Sequence, residues 1–476
     1  MVAMISTRLF KSRAGHRVGL TALAAVTLLA AACVPPMNAA RAAKDQSGSG
    51  KTAERNFAGT YLAARAARSA RDMDAASTYF LRALAADPDD AQLLRRAFVA
   101  TLAAGRVEES IRLAERLNKA EPRDGLAKVV LTAAAVKAGE FDKAAGYMAE
   151  APEAGFSSLI APMVSAWVNI GRGRKEAPAE LSRLAQGTPL GPLYRYHAAL
   201  IHDLAGRPAD AEAHFKEILE RNTAGTLRMV DAYGRLLERQ GRRDDAQKVY
   251  RDYLARQPDN PVITAAMQRL GQGAVPAPLI ADSAAGLAEA FYGTAANLNR
   301  EESGETQEAY LQLALYLVPN LDVARMLLGD IYEGRRNWEL AISSYRGIPR
   351  SSPYSEVTRI RLAWASNELG RPDEAIAALR DVAAADGERT EALVTLGDVL
   401  RAKDRFLEAA AEYGRAIERV GRPEERHWSL FYARGIAFER GKQWPRAEAD
   451  FLKALELRPD QPLVLNYLSY TWGDEG

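Results

Sequence analysis

A regularly spaced pattern of small and bulky residues constrains the fold of this 476-residue chain more than any other feature. In each copy a small residue is followed four positions later by a bulky one and often, eight positions after that, by proline. Ala341, Ala375 and Ala409 begin three successive copies at intervals of 34 residues. Periods of this length are typical of arrays in which each small unit buries its apolar face against the next. The spacing therefore predicts a chain of stacked, similar units.

A second amphipathic segment precedes these anchors, as in Leu328-Gly329-Asp330-Ile331-Tyr332. Leu-Gly-x-x-Tyr followed by Ala-x-x-x-Phe resembles the tetratricopeptide repeat (TPR) family, whose units consist of helix A, a turn and helix B. The resemblance implies an all-α fold, a right-handed TPR α-solenoid of helix-turn-helix repeats. Because glycine has no side chain, Gly329, Gly397 and Gly435 are expected to let helix B approach helix A closely.

The first block of repeats is predicted to span residues 56–260 and to contain about six units. Two of these units, near 125–156 and 157–190, are degenerate because Pro162 and Pro178 break the usual spacing.

Residues 261–286 are out of phase and include a stretch rich in proline and glycine, which favours a linker or hinge. A second block is predicted over 287–476, with about five repeats and a final unpaired helix A that contains Leu465, Leu468 and Trp472. An uncovered apolar helix at the end of an array is unusual. It favours either a chain shortened from a longer protein or a face covered by a partner or a second copy.

Residues 1–32 are predicted to be a secretory signal peptide, because a short apolar run at 18–32 follows a positively charged segment. The basic residues are Arg8, Lys11, Arg13 and Arg17. The small residues before Cys33 resemble a bacterial lipobox, which implies lipidation of this thiol and an outer-membrane anchor facing the periplasm. The alternative is ordinary cleavage after Ala42, which would discard Cys33. Both alternatives predict export, with residues 33–55 as a flexible tether.

Charge and cysteine content exclude several classes of function. The whole chain has 63 basic and 61 acidic residues, and four basic residues lie in the leader, which leaves 59 against 61. This balance argues against a nucleic-acid-binding protein, which needs a basic surface. Cys33 is the only cysteine, so neither an internal disulfide nor a thiolate zinc cluster can form.

The sequence predicts a protein that is not an enzyme and holds no metal or cofactor. The segment from Asp45 to Thr52 resembles a phosphate-binding loop but lacks its first glycine and lies in the tether. The five histidines do not form a His-Glu-x-x-His motif, and no Gly-x-Ser-x-Gly motif occurs. Since predicted helix pairs occupy nearly every long stretch, little of the chain remains for a catalytic domain.

By the TPR resemblance, positions 2, 5, 9 and 12 of each helix A point into a concave groove that binds partners. In the second block these residues are Met326, Asp330, Ile360, Trp364, Asn367, Val394, Asp398, Arg401, Tyr432, Ile436, Glu439, Asn466 and Tyr470. Aromatic side chains beside scattered charges suit an extended peptide or a partner helix. The alternative for Trp364 and Tyr432 is packing across neighbouring helices. The corresponding residues of the first block are more basic: Tyr61, Arg65, Arg95, Tyr196, Arg228 and Arg235.

Taken together, the leader, Cys33 and the long repeat array resemble exported TPR lipoprotein adaptors of the NlpI and LbcA kind. This resemblance implies a scaffold in the cell envelope that presents cell-wall hydrolases to a periplasmic C-terminal-processing protease and cleaves nothing itself. The alternative is an assembly factor for an outer-membrane secretin or a polysaccharide export machine.

Overall fold

The computed structural model describes residues 48–475, except 152–155, 175, 187, 189, 222–225, 299–303 and 386–389. The described residues form α-helices joined by turns and short loops, with a 3-10 helix at Glu425–His427 and no strand. The all-α prediction is confirmed. These residues divide into two compact units, one spanning 52–358 and the other including 359–476. They are called the first and the second unit below.

The first unit begins with six consecutive helix pairs. The A helices are α1 (Gly48–Ser69), α3 (Ala91–Ala103), α5 (Gly125–Lys137), α7 (Phe156–Gly171), α9 (Gly191–Leu204) and α11 (Leu227–Arg239). The B helices are α2 (Met73–Ala86), α4 (Val107–Ala120), α6 (Phe141–Ala149), α8 (Ala177–Leu184), α10 (Pro208–Arg221) and α12 (Arg243–Leu254). Pro162 lies inside α7 and Pro178 lies in the first turn of α8. The two degenerate repeats therefore still form helix pairs.

Close contact between helix A and helix B is made where an aromatic ring of helix B lies on a glycine of helix A. A Cβ atom added at each of these glycines would overlap a ring atom, so no larger residue fits without a shift. The distance from the added Cβ atom to the nearest ring atom would be 2.2 Å for Gly234 and Tyr250, 2.3 Å for Gly329 and Tyr345, 2.5 Å for Gly397 and Tyr413, and 2.6 Å for Gly435 and Phe451. The expected role of Gly329, Gly397 and Gly435 is thus observed.

The predicted linker at 261–286 is partly helical. Helix α13 (Pro261–Gln272) is capped at its start by Asn260, whose side chain accepts hydrogen bonds from two backbone amides, and at its end by Gly273 in the left-handed conformation. It buries Ile263, Ala266 and Leu270 and packs on α12 and α11. Only the non-helical segment after Gly273 separates α13 from the next helix.

That segment leads into an antiparallel pair, α14 (Ser283–Asn297) and α15 (Gly304–Leu317), called the inserted hairpin below. Helices α16 (Asp322–Gly334) and α17 (Trp338–Arg346) follow it in the first unit. The inserted hairpin belongs to the same compact unit as the first six pairs, so the unit boundary falls after residue 358 and not within 261–286. The reason is that the hairpin packs back onto those pairs.

Helix α18 (Ser355–Glu368) continues into the second unit, where it is helix A of the first of three A/B pairs, and six further α-helices follow it. These are α19 (Pro372–Ala385), α20 (Glu391–Ala402), α21 (Phe406–Val420), α22 (Trp428–Arg440), α23 (Trp444–Leu457) and α24 (Pro462–Glu475). One continuous apolar cluster extends from Ile360 to Leu468 and includes the fully buried Tyr413 and Phe451. Helix α24 adds Val464 and Leu468 to this cluster, while Leu465 is 45% exposed.

The predicted signal peptide at 1–32, Cys33 and the tether residues up to 47 lie outside the described residues. Helix α1 starts at Gly48, so residues 48–55 are helical although the sequence predicted a flexible tether there. Ala53, Glu54 and Arg55 are good helix formers that continue directly into the apolar periodic segment. None of the helices in the described part of the chain combines the length and apolar character that a membrane span requires.

Candidate functional site

The A helices of the first block do not form an open groove, because the inserted hairpin packs against them. Helix α14 contacts α5, α7 and α9, and helix α15 contacts α3, α4 and α5. Of these, α3, α5, α7 and α9 are A helices. Several side chains of the hairpin are fully buried, including Leu287, Phe291, Leu311 and Leu313. The surface that TPR resemblance assigns to partners is thus occupied by the chain itself.

A buried ion pair fixes α14 against the sixth helix pair. Arg228 of α11 donates two hydrogen bonds to the carboxylate of Glu289, with Nε–Oε1 at 3.0 Å and Nη2–Oε2 at 2.6 Å. Tyr196 of α9 donates a third, at 2.9 Å. Burial tends to raise the pKa of Glu289, but Arg228 and Tyr196 outweigh it and hold that pKa below its usual value. The carboxylate is therefore ionised and its charge is compensated.

Further contacts hold the start of α14 on α7. The Ser283 hydroxyl donates to the carbonyl oxygen of Trp167 at 2.5 Å. Gly286 lies on the indole of Trp167, and a Cβ atom at this position would be 2.2 Å from the ring. Trp167 Nε1 in turn donates to Nδ1 of His197 at 3.0 Å. A glycine is thus required where the two helices meet.

The other helix of the hairpin, α15, is held by charged residues from the first and third helix pairs. Arg68 of α1 forms two hydrogen bonds with Glu305, at 2.5 and 2.7 Å. Lys137 of α5 donates to the Tyr316 carbonyl at 2.6 Å and lies 3.7 Å from the centre of the Tyr316 ring.

The basic first-block residues singled out in the sequence have mostly intramolecular partners. Tyr196 and Arg228 bind Glu289, as described. Arg235 pairs with Asp231 at 2.7 Å, and Arg95 lies 3.3 Å from Asp124. Arg65 is exposed.

The thirteen groove residues predicted in the second block are divided between the two units. Met326 and Asp330 lie on α16 in the first unit, and the others lie on α18, α20, α22 and α24. Tyr470 is on α24, but its side chain lies outside the described residues. The binding role of all thirteen residues stays a prediction.

Two of these residues, Asp330 and Asp398, connect the helices of their own repeats. Tyr345 donates to Asp330 at 2.9 Å, and Tyr413 donates to Asp398 at 2.7 Å. Burial raises the pKa of Asp398, although Arg401 and the Tyr413 hydroxyl oppose this effect. These carboxylates each satisfy a helix-B tyrosine hydroxyl.

The remaining predicted residues of the second unit differ in exposure. Ile360, Tyr432 and Ile436 are buried, and Tyr432 contacts the rings of Trp428, Phe451 and Tyr467. The half-buried or exposed members are Trp364, Asn367, Val394, Arg401, Glu439 and Asn466. Trp364 and Val394 also pack against the apolar cluster. Packing across helices is thus what the structure shows for Tyr432, and Trp364 packs while remaining partly accessible.

Sequence reasoning missed the inserted hairpin as the occupant of the first groove. The available signal was composition: α14 and α15 carry apolar or small residues around most of their circumference, which is typical of helices buried on all sides. In the described part of the chain, no three potential metal-ligand side chains of the His, Cys, Asp and Glu types come together.

Residues 360–419, 394–462 and 227–271 match family models described as tetratricopeptide repeat. No curated protein matches the sequence. Among solved structures, the Cut9–Hcn1 hetero-tetramer of the APC/C is 12% identical, with 88% of this chain and 90% of that chain covered and a TM-score of 0.33. Yeast Tom70 is 13% identical, with coverage of 86% and 87% and a TM-score of 0.31.

YrrB, described as a TPR protein with an unusual peptide-binding site, is 20% identical, covers 38% of this chain and 92% of its own, and has a TM-score of 0.30. At these values the structural likenesses carry no argument about function. The all-helical pairs described above and the family matches agree with the predicted TPR solenoid. The matches to tetratricopeptide-repeat models cover residues 227–271 and 360–462, which together are less than half of the chain.

Proposed function

We propose that the chain is a non-enzymatic scaffold that binds partner proteins on the A-helix face of the second unit. The observation that supports this proposal is the contrast between the two A-helix faces. In the first unit the inserted hairpin packs across that face. Among the described residues of the second unit, no helix of the same unit packs across α18, α20 and α22 in this way. TPR proteins generally mediate contacts between proteins, and an A-helix face that no helix of its own unit covers is where such a contact would form.

The side chains on this face suit a protein ligand. Trp364 offers a partly exposed indole, and the partly exposed side chains of Arg401 and Glu439 offer charges of both signs. Aromatic and arginine anchors of this kind often contribute most of the binding energy at protein interfaces.

The finer proposal is an adaptor in the cell envelope. It is supported by the leader at 1–32, by the lipobox-like sequence before Cys33, and by the resemblance to NlpI- and LbcA-type lipoproteins. In this proposal the chain is exported and held at the outer membrane by a lipid on Cys33. Its partners are a periplasmic C-terminal-processing protease and the cell-wall hydrolases presented to it.

Affinity purification of the full chain from membranes tests both the binding face on the second unit and the adaptor proposal. Wild type is expected to recover a C-terminal-processing protease and a peptidoglycan hydrolase, and Trp364→Ala is expected to reduce their recovery. Trp338→Ala, which removes a half-buried tryptophan of the first unit, is the matched control. Recovery of neither enzyme class would refute the adaptor proposal. Recovery of secretin or polysaccharide-export subunits would support the assembly-factor alternative instead. Equal recovery by both variants would refute the proposed face.

The lipid anchor is tested by replacing the only cysteine. Wild-type chain is expected to incorporate labelled fatty acid and to sediment with membranes, whereas Cys33→Ser is expected to lose the label because no other thiol is available. Labelling that persists in Cys33→Ser would contradict lipidation at this residue.

A further inference from the structure

Two histidines of the fifth helix pair lie face to face between its helices. The rings of His202 in α9 and His214 in α10 are stacked, with their centres 5.3 Å apart and their planes inclined by 22°. The His202 side chain is 12% exposed, and His214 is half-buried. An imidazole titrates near pH 6.5 in an unfolded chain, so the charge of these rings can change in mildly acidic solution.

A hydrogen bond connects His214 to α8, the short second helix of the fourth pair, and indicates which nitrogen carries the proton. Ser182 of α8 donates its hydroxyl hydrogen to the carbonyl oxygen of Pro178 at 2.9 Å. The same hydroxyl oxygen lies 3.3 Å from Nε2 of His214. Because a hydroxyl has only one hydrogen, Ser182 accepts in the second contact, and Nε2 of the neutral ring is the donor. A second proton would therefore be taken up at Nδ1 of His214.

The surroundings of His202 disfavour a positive charge on its ring. Nδ1 is buried without a hydrogen-bond partner among the described residues, although the carboxylate of Asp210 lies 3.6 Å away. Burial lowers the pKa of His202 from 6.5 to about 4, and Arg207 and His214 add to this effect. Asp210 opposes it only partly, because its side chain is 58% exposed and its attraction is screened by solvent. His202 is therefore neutral in the folded protein at neutral pH.

His214 is also held in its neutral form. Burial lowers its pKa, and the neighbouring ion pair of Arg195 and Glu217, at 3.0 Å, places one positive and one negative charge beside it. Further charged residues of the packed helices form the pairs Glu180–Arg183 in α8, Asp203–Arg239 between α9 and α11, and Glu212–Lys216 in α10. Asp210 can thus offset one imidazolium charge, whereas protonation of both rings would produce two.

We propose that His202, His214 and Ser182 form an acid-sensitive joint, at which α8 separates from α10 when both histidine rings become charged. Two positive charges on stacked rings repel each other, and this repulsion is strong where solvent is largely excluded. The rings can move apart only if His214 shifts, and a shift of His214 breaks its contact with Ser182. The joint lies in the first unit and is independent of the proposed binding face on the second unit.

The direction of the pH effect follows from proton linkage. When the joint is open, each histidine titrates near pH 6.5, whereas protonation is suppressed while the joint is closed. The open state therefore binds more protons, and lowering the pH shifts the equilibrium towards it. For His202 alone, a closed-state pKa of about 4 corresponds to a roughly thirtyfold rise in the opening constant between pH 8 and pH 5.

Hydrogen exchange of the purified full chain, followed by mass spectrometry at pH 8 and pH 5 and corrected for the intrinsic exchange rate, tests the proposal. Amides of α8 and α10 in wild type are expected to exchange about tenfold faster or more at pH 5. His202→Gln combined with His214→Gln cannot acquire charge at the joint, so its exchange should change by less than about threefold. His427→Gln, which removes a histidine of the second unit, is the control and should retain the full acid response.

An equal acid response of α8 in wild type and in the double variant would overturn the proposal. The single variant His214→Gln provides the same comparison if the double variant fails to fold, because it leaves one titrating ring and no pair of charges. A response that disappears in His197→Gln but persists in the double variant would assign the effect to His197 and reject the joint. Acceleration of the same size in α2 and α4 would mean that the whole unit unfolds, which also contradicts a local joint.

Discussion

The carboxylate of Glu289 in α14 and the guanidinium of Arg228 in α11 form a bidentate ion pair, in which Nη2 and Oε2 are 2.6 Å apart. The two side chains are 1% and 14% exposed. Because both charged side chains are largely buried, each needs the opposite charge of the other to offset its loss of hydration. This pair therefore favours one position of α14 against α11, in addition to the packing of apolar side chains.

Glu289→Gln is expected to destabilise the first unit by about 3 kcal/mol, because it leaves the Arg228 charge buried without a counter-charge. Urea unfolding followed by circular dichroism measures this loss. Glu180→Gln removes a carboxylate of similar size from an exposed pair with Arg183 and is expected to leave the unfolding midpoint nearly unchanged. Equal midpoints for the two variants would contradict a structural role for the Glu289 pair.

Gly286→Ala is expected to destabilise the same unit by about 1–3 kcal/mol, since the added methyl group overlaps the fully buried Trp167 ring. Gly271→Ala is the matched control, because no atom lies within 4 Å of its added Cβ and alanine favours the helix. Hydrogen exchange at the backbone amides of α14 should accelerate in Gly286→Ala only. Unchanged exchange would show that α14 does not depend on this contact.

His197 makes the first unit sensitive to acid. Burial lowers the pKa of His197 from 6.5 to about 4, an effect that nearby Glu289 only partly opposes. Nδ1 accepts the Trp167 hydrogen bond, and Nε2 is buried without a partner among the described residues. In the unfolded chain this histidine takes up a proton near pH 6.5, so the native state loses stability as pH falls from about 6.5 towards 4.

The contribution of His197 to this loss is about 2 kcal/mol between pH 8 and pH 5, from a slope of about 1.4 kcal/mol per pH unit. His197→Gln retains an acceptor for Trp167 but does not titrate. Its unfolding midpoint should therefore fall less than that of wild type when the pH is lowered. Parallel midpoints for the two proteins across this range would contradict the assignment.

Tyr413→Phe is expected to destabilise the second unit by about 1–3 kcal/mol, because it removes the hydroxyl that donates to the buried carboxylate of Asp398. Tyr79→Phe is a suitable comparison, since Tyr79 is only half-buried. Thermal or urea denaturation of both variants checks the difference. A loss in Tyr413→Phe no larger than in Tyr79→Phe would show that Asp398 is satisfied without this tyrosine.

The sequence was sufficient to predict the helix pairs because each repeat is specified locally. Gly397 and Tyr413 are sixteen positions apart, and the contact between them follows from the spacing of the two motifs. The same local rule predicted a helix pair after residue 287 but assigned it to the second block. Which face an apolar helix covers depends on partners far away in the chain, and spacing within one repeat carries no information about that.

The candidate groove was predictable to a smaller extent. Helix-A position alone suggested that Asp330 and Asp398 face a partner, but a buried tyrosine hydroxyl from helix B competes for each carboxylate. For Arg228 the competitor is Glu289, sixty-one positions further along the chain. Position on a helix shows which direction a residue faces, but the polar group that it meets there is set by tertiary packing.

The inserted hairpin also changes how the first six repeats can fold. Its contacts join residues that are 116, 179 and 237 positions apart in the sequence. In an ordinary solenoid, contacts form only between neighbouring repeats. Long-range closure slows folding and makes stability depend on the whole length at once. A fragment cut near residue 260 would expose its bare apolar inner surface and be prone to aggregate, so trimming from the carboxyl end should cause an abrupt collapse of solubility and not a stepwise decline.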